Sequence, residues 1–72
     1  MTEAHEVALM ALDAAHMAAR QIVSEVEQAT RVEPYLLAQH VRAIRAQLTE
    51  IEQSLREAAP YAESAEARVL NR

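Results

Sequence analysis

Apolar residues recur along most of the chain at steps of three and four, the spacing that places side chains on one face of an α-helix. The pattern predicts a first helix over about residues 3–31 and a second over about 34–58. Thr2 is predicted to cap the first helix, and Glu3 and Glu6 put negative charge at its N-terminus, where the helix dipole favours it.

Two prolines interrupt this pattern. Pro34 disfavours helical geometry in the residue before it and suits the first position of a helix, so a turn over about residues 31–34 is expected. The hydrophobic phase also shifts there, which predicts that His40 lies off the contact between the helices. Pro60 is expected to end or kink the second helix, leaving a short C-terminal helix or tail over about residues 60–72.

The largest apolar residues of both helices follow a heptad, which is typical of a contact between packed helices. The sequence therefore predicts an antiparallel helical hairpin held by Leu9, Leu12, Val23, Val26, Val41, Ile44, Leu48, Ile51 and Leu55.

The first helix carries more apolar surface than one neighbouring helix can cover. Between Val7 and Ala19 only Asp13 and His16 are polar, and a helix that is apolar nearly all round must be covered nearly all round. A stripe of small residues and a methionine stripe (Val7, Met10, Ala14 and Met17) flank the heptad. Together they predict an interface with a second chain made of Val7, Ala8, Met10, Ala11, Ala14, Ala15, Met17, Ala18 and Ile22.

Length and composition lead to the same expectation. A single domain of 72 residues buries only about 60% of its unfolded surface and needs an additional source of stability. The chain has no Cys, Trp, Phe or Gly, which leaves no disulfide or large aromatic anchor except tyrosine and no glycine-based turn for strands. We therefore predict an all-α fold, a hairpin with a short C-terminal helix that forms a homodimeric four-helix bundle or a higher oligomer.

Charge argues against two classes of partner. The net charge is −4, so nucleic acid, which needs a basic surface, is an unlikely partner. The apolar run is shorter than the roughly 20 residues that span a bilayer, and the N-terminus has no positive region typical of a secretory signal. A cytoplasmic protein is expected. The absence of Lys beside abundant Ala is typical of GC-rich coding sequences, which suggests a bacterial or phage origin.

No catalytic motif, cofactor-binding loop or adjacent nucleophile and base is present, so a non-enzymatic protein–protein interaction module without a cofactor is predicted, such as an adaptor, inhibitor or assembly factor. It would bind itself and another protein. Two alternatives stay open. The first helix could contribute His16, Asp13 and its methionines to a metal-binding bundle. Arg42, Arg45 and Arg56 could instead form the phosphate-binding face of a small nucleic-acid regulator.

Overall fold

A computed structural model of the protein describes residues 3–71, and these form two long antiparallel helices joined by a short turn. Helix α1 spans Glu3–Ala29, a 3₁₀ turn spans Pro34–Leu36, and helix α2 spans Leu37–Leu70. No strand occurs within these residues. The prediction of an all-α hairpin is confirmed. The predicted cap, Thr2, lies outside the described residues.

Helix α1 ends without a glycine because other groups bind its last carbonyls. The backbone N–H groups of Thr30 and Arg31 donate to the carbonyls of Val26 and Gln28 at 3.2 and 3.0 Å, and the Thr30 hydroxyl donates to the Glu27 carbonyl at 2.8 Å. These bonds satisfy acceptors that a helix C-terminus leaves open.

The residue before Pro34 redirects the chain into α2. Glu33 is extended, with φ −64° and ψ 147°, as expected for a residue that precedes proline. Pro34 then begins the 3₁₀ turn, where its missing N–H costs nothing. The predicted break between the helices is therefore present, and its cause is the proline.

Small side chains of α1 pack against a mixed set of α2 residues in the contact between the helices, which we call the interhelical seam. All described residues of α1 that are not exposed belong to one stripe with alternating steps of four and three, and those of α2 form a matching stripe with Ala43 beside it. Alanines dominate the α1 stripe, and Ala11 and Ala18 are only 6% and 3% exposed. The seam comprises Ala4, Ala8, Ala11, Ala15, Ala18, Ile22, Glu25 and Ala29 of α1 and His40, Ala43, Ile44, Gln47, Ile51, Ser54 and Ala58 of α2.

The predicted contact between the helices is wrong for α1 and right for two of its five α2 residues. Ile44 and Ile51 of the predicted set lie partly buried in the seam, whereas the other members are exposed. The α1 heptad of large residues sits roughly 100° around the helix from the seam, about one residue's rotation. The stripe of large residues and the seam stripe have the same spacing along the helix. A rotation of each helix about its own axis would therefore bring the large residues into the seam and the seam residues to the surface.

Helix α2 does not stop at Pro60. It continues through the proline to Leu70, so the separate C-terminal helix is a wrong prediction. A proline inside a helix removes one hydrogen bond and crowds the preceding turn, but Pro60 is exposed and strong helix formers such as Ala58, Ala59 and Ala62 surround it. The Glu25–His40 contact sets the register, so α2 passes the start of α1 by about 12 Å.

Replacing Pro60 by alanine should therefore stabilise the protein. Pro60→Ala restores a helical N–H and relieves crowding, and we expect an increase of about 1–3 kcal/mol in the free energy of unfolding, partly offset by a more flexible unfolded chain. Denaturant unfolding measures the change. Pro34→Ala is the matched control and should lower stability, by about 0.4–1 kcal/mol, because proline suits its position. An unchanged or reduced stability of Pro60→Ala would show that the proline does not strain α2.

Candidate interaction surface

Seven of the large apolar side chains that the seam leaves out lie on one side of the hairpin, which we call the leucine face. Each of them is between 46% and 58% exposed. In an antiparallel pair of helices, the residues that come one position after the seam residues lie on the same side of the hairpin in both helices. The face consists of Leu9, Leu12, Val23 and Val26 of α1 and Val41, Leu48 and Leu55 of α2.

A groove at the open end of the hairpin confirms that both helices contribute to this side. Leu9 and Leu12 of α1 line it opposite Leu55 of α2. Its volume is about 550 Å³, and small residues, including Ala59 and Ala62, leave it wide. The remaining lining residues are Ala4, His5, Ala8, Ala58, Tyr61, Ser64, Ala65 and Arg68. The groove is part of a largely apolar face.

The methionine stripe lies on the opposite side of the seam. Met10 and Met17 are 72% and 56% exposed, and Val7 and Ala14 are also exposed. The adjoining positions of α2 include Glu50 and Glu57, so only α1 is apolar on this side. The hairpin thus has two unequal apolar surfaces, a broad one formed by both helices and a narrow one formed by α1 alone.

The structure divides the predicted interface into two groups. Its small residues lie in the interhelical seam, where Ala11 and Ala18 are buried and Ala8, Ala15 and Ile22 are partly buried. They face α2 within the same chain, and Ala8 also lines the groove. Val7, Met10, Ala14 and Met17 remain available to a second chain, and their contact with one stays a prediction.

One polar contact crosses the seam near the turn. His40 Nδ1 donates to Glu25 Oε2 at 2.7 Å, and the two side chains are only 17% and 26% exposed. The sequence pattern placed His40 off the seam, which is wrong: the α2 stripe begins one position earlier than the leucines indicate. A polar pair among apolar seam residues favours one register over its neighbours, because a shift would bury both groups without a partner.

Removing either side of this pair should reveal a modest coupling. We expect the double-mutant cycle of Glu25→Ala and His40→Ala to give a coupling of about 0.5–1 kcal/mol in the free energy of unfolding, since the pair is largely but not fully shielded from water. Additive effects of the two substitutions would show that the contact contributes nothing. The cycle of Ser24→Ala and His40→Ala is the control, because Ser24 is exposed and bonds to Gln28 instead.

The residues named for the two alternative functions do not converge. Within residues 3–71, no three His, Asp or Glu side chains approach closely enough to hold a metal ion together. Asp13 and His16 are both exposed. Arg42, Arg45 and Arg56 are exposed as well, and the exposed Glu50, Glu52 and Glu57 lie between and beside them, so the surface is of mixed charge rather than basic.

Neither described helix has the length and apolar character required to cross a membrane. The chain matches no protein-family model, no curated protein and no solved structure. The exposed surfaces of the hairpin are therefore the evidence for its function.

Proposed function

We propose that this protein is a non-enzymatic protein–protein interaction module that self-associates into a four-helix bundle and presents a further surface to another protein. The observation that carries the proposal is the amount of apolar surface that a single hairpin leaves in water. The hairpin provides a rigid two-helix scaffold, and the exposed stripes provide the contacts.

The surface area of the molecule supports association. One chain exposes 5881 Å², whereas a compact monomer of its mass, 8.0 kDa, exposes about 4,450 Å². The excess, about 1,400 Å², exceeds the roughly 800 Å² per partner of a standard interface and falls in the range of permanent homodimers. Covering this excess would give the chain the surface-to-mass ratio of an ordinary globular protein.

The elongated shape of the molecule and its lack of a deep core also support self-association. The molecule measures 57 × 18 × 14 Å, and its radius of gyration is 16.6 Å, compared with about 11 Å for a compact domain of this length. Within residues 3–71, no side chain is fully buried. Two helices side by side form a single layer, and a stable domain needs at least two packed layers.

The methionine stripe supports the second part of the proposal. Met10 and Met17 are flexible and polarizable, which suits contacts with varied partners. Their stripe is too narrow to be a bundle face, since Glu50 and Glu57 lie among the neighbouring α2 positions. It fits one amphipathic helix of another protein, bound through apolar residues at helical spacing.

Light scattering of the full chain tests the proposal. We expect a mass near twice 8.0 kDa or a higher multiple, with a helical circular dichroism spectrum and a thermal midpoint that rises with protein concentration. A folded monomer with a concentration-independent midpoint would contradict self-association.

A further inference from the structure

We propose that the leucine face is covered by a second copy of this chain, which packs face to face in antiparallel orientation about a two-fold axis that passes beside Leu48. This inference rests on the proposed self-association and specifies its surface and its symmetry. The methionine stripe stays outside the dimer.

The side chains that form the seam support a second layer on the leucine face. A lone hairpin would bury more apolar area by rotating its helices until the leucines met and the alanines faced water, because a buried leucine contributes far more than a buried alanine. The chain instead packs the alanines of α1 against an α2 stripe that includes Ile44 and Ile51, and it leaves the leucine face uncovered on one side. This arrangement is the more favourable one if a further layer covers the leucines.

The position of Leu48 is the second argument. Met17 and Leu48 are level with each other, each eight residues from the Glu25–His40 contact, and both are near the middle of the paired length of the hairpin. A two-fold axis through this level overlaps the two faces along their whole paired length. It places Leu48 against Leu48 of the second copy, as an isologous interface requires for a residue on the axis.

The same axis matches residues near the turn with the groove. It brings Val41 of the second copy level with Leu55, which lines the groove. On α1 it brings Leu12 to within about one residue of the level of Val23, and Leu9 to within about one residue of the level of Val26, of the second copy. The valines near the turn of one hairpin thus meet the leucines near the open end of the other.

Two charged residues within the face fit this orientation. Arg45 and Glu52 each follow a seam residue by one position, so they share the stripe of Leu48, about one turn before and one turn after it, and both are exposed. In the antiparallel dimer Arg45 lies level with Glu52 of the second copy, and the reverse pair forms on the other side of the axis. If the two copies packed with their turns at the same end, α2 of one copy would face α1 of the other. Arg45 and Glu52 would then not meet.

A single cysteine at the axis tests the inference in the full chain, which has no cysteine of its own. Under mild oxidation Leu48→Cys should form a disulfide-linked dimer in high yield, since a residue beside the axis meets its own mate within the Cα separation that a disulfide spans, 4.4–6.8 Å. Met17→Cys is the matched control: it is level with Leu48 and similarly exposed, but it should stay largely uncrosslinked.

A second pair of variants tests the assigned face independently of Leu48. Val41→Cys and Leu55→Cys should crosslink with each other when mixed and much less when oxidised separately. A wild-type dimer in which Met17→Cys crosslinks and the leucine-face variants do not would overturn the assigned face and leave self-association standing. A dimer in which Leu55→Cys crosslinks with Leu9→Cys rather than with Val41→Cys would overturn the antiparallel orientation. A wild-type monomer by light scattering would overturn both proposals.

Discussion

Leu48→Glu is expected to convert the protein into a monomer at concentrations where the wild type is fully associated. Because Leu48 faces its own mate, one substitution brings two carboxylates together in an apolar contact. A buried charge without a partner costs several kcal/mol, and about 4 kcal/mol corresponds to a thousandfold weaker dimer. Light scattering measures the mass, and the dependence of the thermal midpoint on concentration should vanish with it.

Met17→Glu is the control for this prediction, because Met17 is level with Leu48 but lies on the methionine stripe. It should leave the mass unchanged and lower stability by less than about 0.5 kcal/mol, as is usual for an exposed position. If Met17→Glu dissociated the protein and Leu48→Glu did not, the two surfaces would have to exchange roles.

Ala18→Leu is expected to be the most damaging substitution in the interhelical seam. Ala18 is 3% exposed, and a larger side chain there must push α1 away from α2. Overpacking a well-packed contact typically costs about 1–3 kcal/mol, which is a large part of the roughly 4–11 kcal/mol available to a chain of this length. Denaturant unfolding at fixed protein concentration measures the loss.

Ala14→Leu is the matched control, one turn earlier on the same helix but exposed. Both changes lower helix propensity only slightly and add the same side chain, so their difference reports the seam alone. Equal effects of the two substitutions would mean that the helices are not packed through alanine.

The sequence predicts the hairpin well because its elements depend on local chemistry. Pro34 fixes the turn through the geometry it imposes on Glu33, and the alternation of apolar residues fixes the helices. Pro60 misleads because its effect depends on its surroundings: on an exposed side of α2, flanked by alanines, it is accommodated within the helix.

The rotation of each helix about its axis is not a local property, and there the sequence prediction fails. The alanine stripe and the leucine stripe have the same spacing, so periodicity cannot tell which one faces α2. Residue size favours the leucines, but the structure places Ala11 and Ala18 in the seam and leaves Leu9 and Leu12 at the surface. A second layer of helices that covers the leucine face would account for this rotation.

The signal that points to the seam is polar rather than apolar. Glu25 stands at heptad spacing from Ala11 and Ala18, and His40 falls on the same stripe as Ser54. Glu25 and His40 contact each other across the seam at 2.7 Å. A pair of complementary polar residues, one on each stripe, is therefore a better indicator of the contacting faces than the largest side chains.

The measurement that tests the central claim most directly is an isotope-filtered NOE experiment on a mixture of labelled and unlabelled wild-type chains. We predict intermolecular NOEs that link the methyl groups of Leu48 to those of Leu48 in the other copy and link Val41 to Leu55. The methyl groups of Met10 and Met17 should show none. Intermolecular NOEs confined to the methionines, or none at all in a folded sample at high concentration, would contradict a dimer formed through the leucine face.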